Sequence, residues 1–460
     1  MKALLEKMLN ERAEMLGRKL TVSLLGYGST NRALLKLLTE SESVKAITVR
    51  QKELGRDKIP RTVSLFNVGE VFSQLYEDVF FPSPSVRREK LVFPEMSITV
   101  CDYDLLFASK PDKLFAVSGS DGKSTTVAMT SEMLFPRFPD IFSGGNIGVP
   151  LWYANANSEA FLLELSSFTL RYSTPRGARA LLTNVTPNHL DWHSDLQEYE
   201  DTKLSMIRAA DEPILNVDDA VSKKMAASLN SFCRITTNKS DGEIRSKYRT
   251  EHTVTIDSTA IRTDGKVSVE LSGIRHKERH NLYNLASAIA LSIGYADSTH
   301  VKKVASDFNT LPQRSESFQI NGVEYISSSI DTTPSRTRTT LLGLDKKVRI
   351  ILGGRGKGLA LTPLTEVLKK YAEKIAIYGE IRDELTEYIE SDRGLDEIPH
   401  RAFTGFDDAM DYARDGARFG DTVLLSPAAT GYGEFRDYKE RGEHFKNRAS
   451  KSTPDQYRDK

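Results

Sequence analysis

Lys123 follows a glycine and precedes two hydroxyl residues in the stretch Gly119-Ser120-Asp121-Gly122-Lys123-Ser124-Thr125. This combination suits the phosphates of a nucleotide. Backbone N–H groups of a glycine loop cradle the phosphates, a lysine offsets the charge of the terminal ones, and a hydroxyl helps to hold Mg²⁺. Fewer residues than usual separate the two glycines, and Val117 stands where the first glycine of the ordinary loop would be. The short spacing argues against common GTPases and kinases, so the reaction must be identified from residues further along.

Three later stretches add chemistry. "SGGNIGVP" (143–150) carries Asn146, which can donate and accept hydrogen bonds to a substrate, and "FLLELSSF" (161–168) ends an apolar run with Glu164. A carboxylate so placed is costly unless it binds a cation or is paired. "TNVTPNHLDWHSDLQEYEDTKLSMI" (183–207) supplies His189, Asp191, His193 and Lys203. His189 follows a buried strand, beside the phosphate loop and a second carboxylate, which favours a Mg²⁺ or substrate role over a structural one. Ser194 and Gln197 form a capping-box pattern that starts a helix, on which Leu196, Tyr199, Lys203, Met206 and Ile207 share one face. A lysine within an apolar stripe has two readings. It snorkels to solvent, or it is desolvated with a lowered pKa, and its neutral amine can react with CO₂ to give an anionic carbamate that joins a metal site.

These residues need rigid elements to hold them. "LTVSLLGYGSTNRALLKLL" (20–38) and "KLFAVSGSDGKSTTVAMTSEML" (113–134) each read as strand, glycine turn and helix, with the helix N-terminus favouring an anion. Apolar strand candidates recur at 161–165, 180–185, 348–352, 374–378 and 422–426 with helical patterns between them, the signature of parallel sheets in an α/β protein. Segment 240–280 reads as short β-hairpins. In the first loop, Gly26-Tyr27-Gly28-Ser29-Thr30-Asn31, Asn31 replaces the third glycine of a dinucleotide fingerprint, and Val49-Arg50 lies where a ribose-binding acid is expected. That disfavours a nicotinamide cofactor. It leaves a tight turn without ligand, or diphosphate binding by another nucleotide with Arg50 near its base or ribose.

A chain of 460 residues is expected to form two to three domains. Sixty-three Lys and Arg balance 63 Asp and Glu, which leaves no global field for nucleic acid or an anionic membrane. Cys101 and Cys233 are too few for a disulfide framework and lack metal-ligand spacing. No stretch has the apolar length of a signal peptide core or a membrane span, so a soluble cytoplasmic protein without membrane insertion is expected.

"GSDGKSTT", "GGNIG", "LELSSF", "NHLDWH" followed by Lys203, "RHNLYNLASAIA", "LPQRSE", "LGGRGKG", and "LLSPAAT" with "ERGEHF" occur in the order found in Mur ligases. From about residue 20 to 446 the chain resembles that family, most of all its members that add D-glutamate to UDP-N-acetylmuramoyl-L-alanine in peptidoglycan synthesis. The resemblance implies an α/β chain of three domains: a Rossmann-like N-terminal domain for the UDP-substrate (1–102), a P-loop ATPase-like central domain (103–311) and a Rossmann-like C-terminal domain for the amino acid (312–460). It implies ATP as co-substrate, Mg²⁺, small-molecule partners only and a monomer. Gly119, Ser120, Asp121, Gly122, Lys123, Ser124 and Thr125 would bind ATP, with Asn281 and Asn284 at adenine and Arg314 on phosphate. Ser124, Glu164, His189 and a carbamylated Lys203 would serve the metal, with Lys123, Glu164, His189 and Lys203 catalytic. Gly28, Ser29, Thr30, Arg50 and Asn146 would bind the UDP-substrate, and Lys357 the acceptor.

Departures from the family pattern gather in the C-terminal third. "SSSIDTTPSRT" (327–337) puts Ser328 at an aspartate position and Ile330 at a lysine position, Gly431 replaces a serine, and Tyr438 takes the place of a nearby aromatic. Gln313 stands for a histidine, Thr169 for a glutamine and Ser120 for a threonine. Arg336, with Thr332 and Tyr438, is then the expected substitute for the lost cation at the acceptor carboxylate. A ligase with another acceptor, including a folylpolyglutamate type, and a non-catalytic nucleotide-binding regulator are the alternative readings.

Overall fold

Strands that are apolar along their whole length need cover on both faces, and this chain meets that need with three successive sheets flanked by helices. The computed structural model describes residues 1–51, 64–66, 75–146, 149–190, 192–229, 233–308, 311, 313, 316–344 and 346–451. The α/β class and three-part architecture expected from the sequence are present. By contact density the chain forms two compact units: Met1–Lys277 with Asn281–Asp307, and Glu278–His280 with Phe308–Lys460.

The first unit holds two sheets. One is parallel throughout, in the order Ser64–Phe66, Val44–Arg50, Leu20–Leu25, Val79–Pro82, Ile98–Thr99. This is a Rossmann-like order, and it changes direction at Leu20–Leu25, so the loop leaving that strand sits at the crevice where such sheets bind ligands. The other sheet runs Lys266–Glu270, Ala260–Thr263, Thr250–Ile256, Cys233–Thr237, Glu212–Asn216, Arg179–Leu182, Leu114–Ser118, Ala160–Glu164, Ile141–Gly145. Only the first two of these strands are antiparallel additions. Leu114–Ser118 and Ala160–Glu164 are buried at every position and lie side by side. Their carboxyl ends, together with that of Arg179–Leu182, bring three otherwise distant stretches together.

The second unit has one sheet in the order Glu316–Ile320, Val323–Ser327, Thr422–Ala428, Val348–Gly353, Ala372–Tyr378, His400–Phe403, parallel except for its first strand. Its two faces are covered by separate apolar clusters, one around Ile350, Leu352 and Ile377 and the other around Ile351, Phe406 and Phe445.

Two local expectations are corrected. Segment 240–280 opens with the helix Asp241–Lys247 before its antiparallel strands, because Ser240 caps it by accepting from Glu243 N and acidic residues fill its first turn. The helix carrying Lys203, Leu196–Arg208, is capped by Asp195, whose side chain accepts from Glu198 N. Ser194 serves instead as a donor to Glu198 Oε2 from both its N–H and its hydroxyl.

Candidate active site

The phosphate-type loop leaves Leu114–Ser118 and enters the helix Lys123–Leu134. Both of its glycines are required by geometry. Gly119 has φ 142° and a Cβ there would overlap Thr183 Oγ1, while Gly122 has φ 80° and a Cβ there would overlap Asn284 Oδ1. The loop is tied to the segment after Arg179–Leu182 by a set of hydrogen bonds. Ser120 N donates to Asn184 O (2.8 Å), Asp121 N to Asn184 Oδ1 (3.0 Å) and Thr183 Oγ1 to Asp121 O (2.7 Å). Ser120 Oγ donates to Thr186 O (2.9 Å) and lies 2.8 Å from Tyr199 Oη, so serine retains the tether that a threonine hydroxyl would provide. Thr183 and Asn184 are loop-shaping residues that sequence reasoning missed, their only signal a hydroxyl and an amide directly after an apolar strand, while Tyr199, expected on the apolar face with Lys203, also reaches the loop through Ser120.

Two lysines converge on one carbonyl. Lys123 Nζ donates to Gly119 O (2.9 Å) and Ser120 O (2.8 Å), and Lys203 Nζ donates to the same Gly119 O (2.8 Å). Lys203 is 2 % exposed and its ammonium lies 4.8 Å from the centre of the Tyr199 ring, so it does not snorkel. Tyr199, Met206 and Ile207 are buried with it as the helical spacing predicts, whereas Leu196 at the first turn is exposed.

Glu164 ends its strand fully within the protein and is held from two sides. Ser124 Oγ donates to Oε2 (2.6 Å) and Asn146 Nδ2 to Oε1 (3.2 Å), while Asn146 N donates to Glu164 O (2.9 Å). Ser124, Asn146 and Glu164, three residues singled out from separate motifs, therefore form one cluster. A carboxylate beside a hydroxyl is a hard oxygen donor set, which fits Mg²⁺. Among the described residues no three His, Cys, Asp or Glu side chains gather to enclose a metal.

His189 is held in the left-handed region at φ 56°. Its N–H donates to Asn188 Oδ1 (2.9 Å), and its carbonyl accepts from Trp192 N and His193 N, a tight turn that a neighbouring Asn side chain supports. The imidazole meets the Phe168 ring edge-on at 4.8 Å. His193 is buried against Phe168, Trp192 and Tyr199 with Nε2 at 2.9 Å from Ser167 Oγ, and burial lowers its pKa below the ordinary value. It belongs to the packing behind His189. Asp191 lies outside the described residues, as does Arg314. Asn281 and Asn284 are buried on the helix Arg279–Ser292, and Asn284 reaches the loop at Gly122. Thr125 is buried in the first turn of Lys123–Leu134.

At the other glycine loop, Gly28 caps the helix Ser29–Thr39 and is exposed, and Thr30 follows in its first turn; the Ser29 side chain lies outside the description. Asn31, read from sequence as a substituted glycine, proves to be the loop's staple. Its Nδ2 donates to Gly26 O (2.7 Å), Phe81 O (3.0 Å) and Leu25 O (3.3 Å). Arg50 is buried and pairs with buried Glu77 at 2.8 Å.

In the second unit the acceptor candidates partly converge. Lys357 Nζ donates to Thr332 Oγ1 (3.4 Å), and Arg336 Nη1 donates to Ile330 O (3.2 Å) from the first turn of Pro334–Leu344. Tyr438 opens the helix Tyr438–Ser450, and its carbonyl accepts from Ser329 Oγ (2.7 Å). Gln313, at the histidine position, links the strand end to this helix: Ser327 Oγ donates to its Oε1 (2.8 Å), and its Nε2 donates to Glu443 Oε1 (2.7 Å).

Comparison with known proteins points to one family. A family model described as the Mur ligase middle domain matches residues 117–292, the stretch that contains the phosphate loop, Glu164, His189 and Lys203. The chain is 30% identical over 464 residues to a UDP-N-acetylmuramoylalanine–D-glutamate ligase of Clostridium novyi, covering 96% of this chain and 99% of that one. It is 29% identical to the protein of the same name from Acetivibrio thermocellus, covering 92% and 95%. In fold it is similar to the UDP-N-acetylmuramate–alanine ligase of Thermotoga maritima, with TM-score 0.62 at 18% identity over 94% of this chain and 100% of that one.

Proposed function

The chain belongs to the Mur ligase family, and from that premise we propose that it is an ATP-dependent ligase joining D-glutamate to UDP-N-acetylmuramoyl-L-alanine in peptidoglycan synthesis. One observation carries the reading. A lysine-bearing phosphate loop, the buried carboxylate Glu164 and the buried Lys203 meet at the carboxyl ends of adjacent strands.

The γ-phosphoryl group of ATP passes to the terminal carboxylate of the UDP-substrate, giving an acyl phosphate and ADP. The amine of D-glutamate attacks the acyl carbon, the C–O bond to phosphate breaks, and an amide and inorganic phosphate result with loss of a proton. Lys123, already at the mouth of the loop, turns its ammonium to the phosphates, and the loop N–H groups fix them in line. Glu164 and Ser124, with His189, would hold Mg²⁺, which would neutralise phosphate charge when bound. Asn146 bridges from Glu164 to the UDP-substrate, whose diphosphate lies at Gly28, Ser29 and Thr30 with Arg50 behind it. Asn281 and Asn284 contact adenine and Arg314 a phosphate.

Lys203 is carbamylated in the working enzyme. Two ammonium groups on one carbonyl repel each other in a site where burial already penalises charge. A neutral Lys203 amine adds to CO₂, releases a proton and becomes an anion that pairs with Lys123. D-Glutamate is held by Lys357, Arg336, Thr332 and Tyr438. The domains divide near residues 102 and 311, and the enzyme works as a cytoplasmic monomer; among the described residues no helix is long and apolar enough to cross a membrane.

An end-point assay with UDP-N-acetylmuramoyl-L-alanine, ATP and an acceptor panel of D-glutamate, L-glutamate, D-glutamine and D-lysine tests the reading. Phosphate release and amide formation are expected with D-glutamate far above the others. Equal turnover of a neutral or basic acceptor, or none with D-glutamate, overturns it.

A further inference from the structure

The motif "ERGEHF" has no role in the chemistry above, yet its Arg441 is among the largest side chains in the protein with no exposure at all. It lies in the first turn of Tyr438–Ser450, where the helix dipole disfavours a cation. A charge placed against both solvation and the dipole needs a reason.

All five guanidinium donors are engaged. Nε donates to Ser329 Oγ (2.9 Å), Nη1 to Tyr378 Oη (3.1 Å) and Gly353 O (3.3 Å), and Nη2 to Ser329 O (2.8 Å) and Ala429 O (3.0 Å). Every acceptor is neutral, and among the described residues no carboxylate forms an ion pair with Arg441. The hydrogen bonds are satisfied, but the charge is not compensated, an arrangement proteins normally avoid.

The acceptors also share a location. Gly353 and Tyr378 end their strands, and Ser329 and Ala429 follow Val323–Ser327 and Thr422–Ala428, so one guanidinium laces the carboxyl ends of four neighbouring parallel strands. This edge is where open α/β sheets bind ligands. The backbone closes tightly around the fork. A Cβ on Gly354 would overlap Thr430 O and come within 3.1 Å of Arg441 Nη1. Ser329, which holds Nε, also donates to Tyr438 O, and the laced loops continue into Thr332 and Lys357.

We propose that Arg441 is a positioning and specificity-determining residue of the acceptor site, fixing the loops that bear Thr332, Lys357 and Tyr438 and biasing that site, by its uncompensated charge, toward an amino acid with an extra carboxylate. The inference rests on the ligase reading above. It helps to account for an anionic acceptor despite Ile330, since Arg441 adds positive charge from beneath the site to that of Arg336 in the 327–337 loop. Arg441 itself acts through its neighbours and by field, without touching the acceptor.

The test uses the full-length enzyme and the variants Arg441→Lys, Arg441→Met and Ser329→Ala, with KM and kcat measured for ATP, D-glutamate and D-glutamine. Wild-type turnover of D-glutamate is the control on the ligase reading, and its absence would refute that reading rather than this inference. Arg441→Lys retains charge but not the fork, so the KM for D-glutamate should rise about tenfold with the preference for D-glutamate over D-glutamine largely kept. Arg441→Met should raise that KM roughly 100-fold and cut the preference at least ~10-fold, with the KM for ATP within about twofold of wild type. Ser329→Ala, which removes one acceptor and leaves the charge, should raise the D-glutamate KM by about fivefold and keep the preference. If Arg441→Met does not fold, the other two variants decide. An unchanged D-glutamate KM in Arg441→Lys and Ser329→Ala, or a rise matched by that for ATP, overturns the proposal.

Discussion

Asp102 offers a stability test whose sign and size follow from its surroundings. It opens the helix Asp102–Ala108, is 3 % exposed, and accepts a hydrogen bond from Tyr103 N (3.1 Å). Its neighbours Asp104 and Cys101 bring no positive charge, and burial raises its pKa from 3.8 to about 7 despite the backbone donors. A carboxyl with a raised folded pKa binds its proton more tightly in the folded state. Between these two values the folded protein therefore carries one more proton than the unfolded chain, and stability falls as pH rises. The difference corresponds to at most about 4 kcal/mol at ~1.4 kcal/mol per pH unit, fully present below about pH 4 and lost by about pH 8. Asp102→Asn keeps the acceptor for Tyr103 N and removes the titration. Both tryptophans, Trp152 and Trp192, lie in the same compact unit, so urea unfolding followed by tryptophan fluorescence reports on that unit. The variant should match the wild type near pH 4 and exceed it by up to about 4 kcal/mol near pH 8. A wild-type protein more stable than the variant at high pH, or a difference that does not change with pH, would refute the assignment of a neutral buried Asp102.

Other expectations concern the site itself. Lys203→Ala should lower kcat at least ~100-fold, and short carboxylates should restore part of it by replacing a carbamate anion; rescue by amines alone would show that the lysine acts as a cation. Glu164→Gln should raise the Mg²⁺ needed for half-maximal rate by about tenfold, because a formal charge leaves the cation site. An unchanged Mg²⁺ titration would make Glu164 structural. Arg336→Ala should raise the KM for D-glutamate by roughly tenfold or more while sparing that for ATP, the loss expected for a hydrogen bond to a charged group. Normal D-glutamate affinity in that variant would leave Arg336 with a structural role.

Much of the central site was legible because its elements are local and periodic. A buried strand running into Gly119, and a helix stripe with Lys203 among apolar residues, advertise their geometry directly. Residues that act across the sheet were not. Thr183 and Asn184 shape the loop only because Arg179–Leu182 pairs with Leu114–Ser118, a neighbour relation that no spacing records. Asn31 looked like a defect in a glycine pattern, although its amide does the work of closing the turn on three carbonyls. The pattern of Ser194 and Gln197 reads as a capping box, yet Asp195 is the cap, because both residue types suit the position and only the backbone decides. Arg441 was hidden for a related reason. In sequence it is one charge in a charged helix, and its significance comes from four strand ends that meet it in space.

The central claim is that the phosphate loop transfers a phosphoryl group to a carboxylate before the amide forms. Supplying UDP-N-acetylmuramoyl-L-alanine with ¹⁸O in its terminal carboxylate, together with ATP and D-glutamate, tests this directly. The account predicts one labelled oxygen in each inorganic phosphate released, in step with amide formation. Amide formation with unlabelled phosphate would contradict it.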